Sequence, residues 1–526
     1  MEIAIIPPPI RGLNTSSMSV SLAPEEAIVF ENWFAERNYV RLRKGIVVYT
    51  GEVIGTGDIK TVTSFCNEGG ATKKLLALAN AGVYDISTST PASVALPEGY
   101  ATVTTDYWDS SNFVDSGGNS FLVLCNGAQT PLLYNGTTLA VTAWTGITQT
   151  KLTNPLSYKG RLYFVEVDSL SIWYGATGVS GSSSAALTEF NISSIVSRSG
   201  KIVYHGSWSH NFGNGLNDYY AIVTSEGEFL VYGGAYPGDT EWSLLTRGTI
   251  PKPISNRCFA RFGNDILFLS QDGEIYSFTS VVMKDWKSIS SNISNNILNL
   301  YTKTGVSLTK GWSIFVSQGL GIIFIVIPVS AASGNIASTI IYVGNLKTIT
   351  EGYVPWSLYS GIPIQYIHEY KDKIYASGFD GYIYEIETAF KYDYIYLGAN
   401  LTKKPITTKL RTAPVKILPD KRAQVLCVRP LFVGNGAVRY SVGVEADCET
   451  YGVLSVDAFT ASFSENAVWD TSKWDTSKWA QLNLVSKKWR RVYGVGNYIN
   501  LRMEGQFVDA IVQLGEFSVG YKQGGF

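Results

Sequence analysis

The chain has 526 residues, of which 45% are hydrophobic and only 16% charged, against about 25% charged in ordinary globular proteins. Its 51 Gly, 32 Tyr, 23 Phe and 13 Trp, beside 4 Met and 3 His, suit short strands joined by tight turns; they exclude a mostly helical protein and argue against an ordinary metabolic enzyme. The net charge of −1 creates no overall field toward nucleic acid or an anionic membrane, but it is unevenly spread: residues 401–526 hold 17 Lys and Arg against 11 Asp and Glu, and residues 1–400 hold 25 against 32.

The opening MEIAIIPPPI has no basic stretch before its apolar run and soon meets three prolines, so it does not read as a signal peptide. Pro24–Trp33 reads as one short helix, with Pro24 in the first turn where a missing N–H costs nothing. Residues 1–45 are therefore expected to form an N-terminal segment carrying that helix.

From residue 46 a pattern recurs: an apolar strand, a turn with Gly or Asx, and a second strand carrying Tyr. Its clear copies are KLLALANAGVYDIS at Lys74, SFLVLCNGAQTPLLY at Ser120, RLYFVEVDSLSIWY at Arg161, YYAIVTSEGEFLVY at Tyr219, DILFLSQDGEIYSF at Asp265 and KIYASGFDGYIYEI at Lys373. The turns, near Gly82, Gly127, Ser169, Gly227, Gly273 and Gly381, lie 45, 42, 58, 46 and 108 residues apart. The last gap is two periods, and a degenerate copy, IIFIVIPV at Ile322 with STIIYVGN at Ser338, fits inside it. A period of about 40–60 residues built on hairpins matches a four-stranded propeller blade, so residues 46–398 are expected to form an all-β propeller of seven blades, give or take one. No WD dipeptide ends the blades, and no S-x-D-x-G-x-x-W box of propeller glycosidases is present. Within this region Ser288–Leu300 spaces Ile289, Ile293, Ile297 and Leu300 as a helix stripe. The run Gly319–Val329 is about half the length needed to span a bilayer and reads as a buried strand.

Past residue 399 the rhythm changes. Prolines cluster at Pro405, Pro414, Pro419 and Pro430, and alternating stretches such as AQVLCVRPLFV from Ala423 and AVRYSVGVEAD from Ala437 take over. Residues 399–526 are expected to form a separate β-sandwich-like domain. Its tandem Asp470–Trp474 and Asp475–Trp479, both DTSKW, is followed by Trp489-Arg490-Arg491. Trp and Arg are the residues most enriched at interface hot spots, so Trp474, Trp479, Trp489, Arg490 and Arg491 are the candidate interface residues. The alternative places these tryptophans in the sandwich core.

The five cysteines, Cys66, Cys125, Cys258, Cys427 and Cys448, are odd in number and contain no CxxC, which argues against a disulfide framework or a structural zinc site. GxxxxGK[ST], GxGxxG, HExxH and GxSxG are all absent. His205 and His210, five apart, align on neither a helix nor a strand face, and the remaining histidine is His368. No catalytic, cofactor-binding or metal-ligating residue is therefore expected, and no enzymatic activity.

The segment GLNTSSMSVSLAPEEAIVFENWFAERNYVRLRKG, Gly12 to Gly45, followed by the first hairpin copies, resembles the opening of propeller-type tail proteins of short-tailed bacteriophages, the tail-nozzle or packaged-DNA-stabilisation class. The residues that carry the resemblance are Leu22, Pro24–Ala27, Asn32–Trp33 and Arg43–Gly45. The resemblance implies a structural virion protein, made in the host cytoplasm, with six copies in a ring below the portal and its adaptor. Such a ring surrounds the DNA channel, touches the genome without sequence preference, holds it in until ejection, docks fibres or spikes, and has no membrane-inserted part. Near-neutral charge suits a conduit through which DNA slides. The alternatives are a fibre-adaptor or other tail protein, or a carbohydrate-binding propeller using exposed Trp and Tyr as sugar platforms.

Overall fold

The computed structural model describes the chain apart from residues 56–58, 80–81, 99, 101–106, 212–215, 285–292, 298–310, 331–335, 350–353, 398–399, 420, 448, 452–483, 487 and 525–526. Each clear hairpin copy becomes the second and third strand of one propeller blade. The first four blades are complete four-stranded meanders, the first of them Ile59–Cys66, Lys73–Ala79, Gly82–Asp85 and Ala92–Val94. The fourth is Ile202–Asn211, Leu216–Thr224, Glu228–Gly233 and Ser243–Thr249. The fifth has three strands, Phe259–Phe262, Asp265–Leu269 and Ile275–Ser277, and continues into the α-helix Phe278–Lys284. The last is Ile364–Tyr370, Lys373–Gly378 and Ile383–Ile386, closed by Val47–Val48, so a strand from ahead of the first blade completes the final one.

The turn chemistry sets the hairpins. Gly227 turns the fourth blade at φ 75°, and a Cβ there would lie 2.3 Å from the Ile250 carbonyl oxygen, so only glycine fits. In the third copy, where no glycine stands, Asp168 takes the left-handed conformation instead, at φ 54°.

Blade packing explains why the strands read as continuous apolar runs rather than alternations. In Lys73–Ala79, Leu76 and Leu78 pack with Leu122 and Leu124 of the second blade. Leu75 and Ala77 point the other way, against Tyr370, Tyr375 and Ile383 of the last blade. Both faces are dry, and each fully buried leucine contributes about 1.5–3 kcal/mol.

Six discrete blades form among the described residues, one fewer than seven and within the expected range. The degenerate copy does form a meander, Ser313–Ser317, Ile322–Ser330, Ile336–Asn345 and Trp356–Tyr359. Its inner strand stands in the circle with the others, but its remaining strands continue into a 16-stranded sheet. Within the apolar run Gly319–Val329, the residues from Ile322 on form a buried strand, as expected, after a turn at Gly319–Gly321. Ile323, Ile325 and Ile327 face the core of the large sheet, and Ile322, Phe324 and Val326 face that of the last blade.

The C-terminal region is all-β but not a sandwich. Ala423–Ala446 and Tyr498–Gln523 pair antiparallel from Ala423↔Gln523 to Ala446↔Ile499. Strands of 24 and 26 residues with three breaks of register curl the sheet into a half-barrel, because bulges and twist accumulate along such lengths. Phe432, Met503, Phe507 and Phe517 fill its concave side together with Phe30 and Trp33 from the N-terminal segment.

The short helix expected over Pro24–Trp33 is also corrected: Glu26–Glu31 is a strand, parallel to Gly12–Leu13 and antiparallel to Ile406–Thr412. A register shift between Ala27 and Val29 lets Ala27 and Phe30, three apart, both face inward, and this spacing imitates a helical stripe. Glu2–Ile6 pairs with the end of the chain, Glu2↔Tyr521 to Ile6↔Phe517. Residues 1–45 thus form part of the same sheet as the C-terminal strands. The helix stripe at Ser288–Leu300 lies largely outside the described residues; within it Asn295–Ile297 makes a single 3-10 turn. Among the described residues no helix is long and apolar enough to cross a membrane.

Candidate functional site

Three places concentrate polar or exposed chemistry. The first is the seam between propeller and half-barrel. Asn32, buried and at φ 59°, donates from Nδ2 to the Thr407 carbonyl at 2.7 Å and to Ser360 Oγ at 3.0 Å. Its Oδ1 accepts from Arg43 Nε at 2.8 Å and from the Ser360 amide at 3.0 Å. Arg43 then forms a two-pronged ion pair with Asp393, Nη1 to Oδ1 at 2.7 Å and Nη2 to Oδ2 at 2.5 Å, with side chains 1% and 3% exposed. Gly45 passes so close to the chain beyond that a Cβ would lie 2.1 Å from the Tyr392 carbonyl oxygen. Upstream, Glu26 accepts from Asn14 Nδ2 at 2.8 Å and from the Ala23 amide at 2.9 Å, tying down the turn that holds Pro24.

The second place is the propeller axis. A polar cavity of about 290 Å³ is lined from the inner strands by Asp109, Asn154, His205, Arg257, Tyr366 and His368, among others. Its rim is stitched from blade to blade. Ser110 bonds to Thr63 at 2.6 Å, Thr153 donates to Asp109 at 2.9 Å, and His368 meets Ser64 at 2.9 Å. Asn256 donates to both Asp109 Oδ1 and Asn154 Oδ1, at 2.8 and 2.6 Å. Arg257 donates to the Lys60 and Trp108 carbonyls and lies between the rings of Tyr107 and Tyr366. Burial pushes the Asp109 carboxyl up, opposed by Arg257 and by the Thr153, Asn154 and Asn256 donors. These groups answer one another and tie the inner strands of successive blades together. Among the described residues no group of three or more His, Cys, Asp or Glu could hold a metal ion. His205 and His210 do not meet: His205 lies on the axis, whereas His210 stacks on Trp208 at 4.9 Å.

The His205 hydrogen bonds fix its neutral form. Nε2 faces the Asn154 carbonyl, which can only accept, so Nε2 carries the proton and Nδ1 accepts from the Tyr220 hydroxyl at 2.5 Å. Burial lowers its pKa from 6.5 to about 4, against a smaller raising effect of the Asn154 bond. Between those values the unfolded chain holds a proton that the folded chain refuses. Stability contributed by neutral His205 is therefore complete above pH 6.5 and is lost as pH falls toward 4, by about 3 kcal/mol in all. His368 shifts in the same direction to about 4 through burial, while Asp109, held up, opposes them in the acid range. Chemical unfolding followed at pH 7.5 and pH 4.5 should show a smaller acid loss in His205→Gln than in the unchanged chain; identical losses would contradict this assignment.

The third place is the outer face of the half-barrel near the chain ends, and it contains part of the expected interface. Trp474 and Trp479, with the tandem DTSKW, lie outside the described residues. Trp489 and Arg491 are exposed on the outer face, and Trp489 lies under the Arg429 guanidinium at 4.8 Å. Arg490 points the other way, toward the ring of Tyr440. Across the same sheet the neighbouring rows continue through Cys427, Gly520 and Ile3, and through Arg429, Ser518 and Ile5. Ile3 and Ile5 are 55% and 63% exposed. Sequence reasoning passed over them, although the alternation of Glu2–Ile6 ahead of three prolines carries the signal of a half-covered edge strand. The axial residues were missed for another reason: they sit on the inner strands, ahead of the hairpin copies that carry the repeat.

No family model matches the chain, and no curated protein sequence does. Among solved structures it is similar to YCF48 from Cyanidioschyzon merolae, with 14% identity over 66% of this chain and 98% of that one and a TM-score of 0.36. It is also similar to Saccharomyces cerevisiae Sqt1, with 11% identity over 66% and 100% and a TM-score of 0.37. The β-propeller domain of Myceliophteria thermophila Cps50 (Swd1) matches with 11% identity over 65% and 100% and a TM-score of 0.38. These likenesses are of fold.

Proposed function

We propose that the chain is a structural virion protein of the tail-nozzle class of short-tailed phages, six copies forming a ring around the DNA path below portal and adaptor. The observation that carries this reading is the seam. The residues on which the resemblance rests, Asn32–Trp33 and Arg43–Gly45 with Pro24–Ala27 beside them, are the ones that lock propeller to half-barrel. A signature shared for architectural reasons belongs at such a joint.

Asn256 and Arg257 reach across the axis to Asp109, Asn154, Lys60 and Trp108, and this crossing supports a DNA path between copies rather than through a propeller. The mutual satisfaction of the axial groups supports a scaffold without enzymatic activity. Outward-facing Trp489, Arg429 and Arg491 supply a surface for portal, adaptor, fibre or spike.

Mass photometry of the purified chain, alone and with portal and adaptor, tests the proposal. A particle of six chain masses is the expected result. A monomer in both conditions that binds oligosaccharide would replace the reading with a carbohydrate-binding propeller.

A further inference from the structure

A pocket of about 190 Å³ lies at the seam between propeller and half-barrel, lined by Glu31, Asn32, Arg43, Asp393, Lys404 and Lys409, among others. That is far above the roughly 10–15 Å³ that a single water needs. Its floor is rigid, because Asn32, Arg43 and Asp393 are buried and bonded to one another. Its charges do not cancel: three cations, Arg43, Lys404 and Lys409, meet two carboxylates, Glu31 and Asp393.

Both carboxylates are already matched. Lys409 Nζ lies 3.4 Å from Glu31 Oε2, and Ser360 Oγ donates to Glu31 Oε1. Asp393 stands directly across the strand pair from Lys404, the position from which it would serve as that lysine's counter-ion. Arg43 takes both Asp393 oxygens instead, and the Ile46 amide adds a further donor to Oδ1. Lys404 is left with no hydrogen bond or ion pair among the described residues. A Cβ on Gly361 would lie 3.8 Å from its Nζ, so the ammonium rests against the Gly361 wall of the pocket. Arg43 spends four of its five N–H groups, on Asn32, Lys44 and Asp393, and keeps one on Nη2.

We propose that this pocket binds a phosphate-sized oxyanion, held between the Lys404 ammonium and the remaining Arg43 N–H. Donors are in surplus there and acceptors are spent, which suits an anion and not a metal cation. The carboxylates do not oppose it, since each is neutralised by its own cation. Arg43, Gly361 and Lys404 come from three segments that meet only in the folded seam. Binding therefore belongs to the folded chain alone and raises its stability by mass action. The inference does not rest on the ring proposed above.

Inorganic phosphate titrated into the full chain at constant ionic strength tests this, read by calorimetry and by thermal unfolding. Saturable binding is the expected result, with the melting temperature raised by at least about 2 °C at saturation. Lys404→Met should weaken binding by at least about tenfold, the loss of a charged donor. Its melting temperature without phosphate should stay unchanged, because Lys404 has no partner to lose. Lys404→Arg should retain binding. Lys403→Met is the control: that lysine pairs with Asp509 and lies over the Tyr392 ring, outside the pocket, so binding should persist. If Lys404→Met does not fold, Lys404→Gln takes its place with the same expectation. Absence of saturable binding to the unchanged chain would overturn the proposal. So would binding that survives Lys404→Met, which places the ion elsewhere, or equal weakening by both methionine variants, which makes it an effect of general charge.

Discussion

Replacing Arg43 by Met will lower the stability of the whole chain by about 3–5 kcal/mol, because it leaves the Asp393 carboxylate buried without its cation. The Ile46 amide, at 3.2 Å, is a weak substitute for two charged donors. The loss spreads beyond the pair, since Asn32 also loses the Nε bond that orients it between Ser360 and Thr407. Arg43→Met with Asp393→Leu removes both charges and should recover much of the loss, as expected when the cost is an unpaired buried ion rather than lost attraction. The Lys201–Asp168 pair is the control, with side chains 53% and 71% exposed. Lys201→Ala should change stability by less than about 1 kcal/mol. Urea unfolding of the four proteins decides the matter, and equal effects of Arg43→Met and Lys201→Ala would contradict the role given to the seam.

A fragment of residues 399–526 should fail to fold. Its strands look self-sufficient in sequence, yet the core beneath them is borrowed. Phe30, Trp33, Val40 and Leu42 come from the N-terminal segment, and Trp312, Ile323, Ile325 and Trp356 from the meander beside the last blade. Isolating the fragment returns the apolar surface facing these residues to water, at about 25 cal/mol for each Å² exposed. Amide exchange in Ala423–Ala446 and Tyr498–Gln523, slow in the whole chain, should be fast in the fragment. Slow exchange with cooperative unfolding in the fragment would mean that the C-terminal region is an independent domain after all.

The features legible in sequence were those fixed locally. The hairpins declared themselves because each turn needs a residue able to reach positive φ, and Gly227, Gly381 and Asp168 mark such turns. What depends on distant pairing was harder to read. The strand at Glu26–Glu31 passed for a helix because its register shift hides the alternation, and only its partners Gly12–Leu13 and Ile406–Thr412 reveal the strand. Alternation over residues 423–446 and 498–523 identifies half-covered strands but cannot say whether one curled sheet or two flat ones cover them. The axial network of Asp109, Asn154, His205 and Arg257 follows the blade period, at spacings of 45, 51 and 52 residues, but it was missed because its residue types differ from blade to blade and lie ahead of the hairpin copies that carry the repeat. At the proposed interface, Trp489 and Arg491 face outward, whereas Arg490 turns inward to Tyr440. Alternation along Arg490–Gly496 separates them, but without the sheet neither side of that strand could be called outer.

The central claim is that copies of this chain assemble around a channel wide enough for DNA, with each propeller itself closed to it. Electron microscopy of the particle assembled from the purified chain, on portal and adaptor if it does not assemble alone, tests this most directly. Class averages should show a six-fold ring with an open centre wide enough for a duplex and the propellers arranged around it. A particle with no through-channel, or a field of single propellers under all these conditions, would contradict the account.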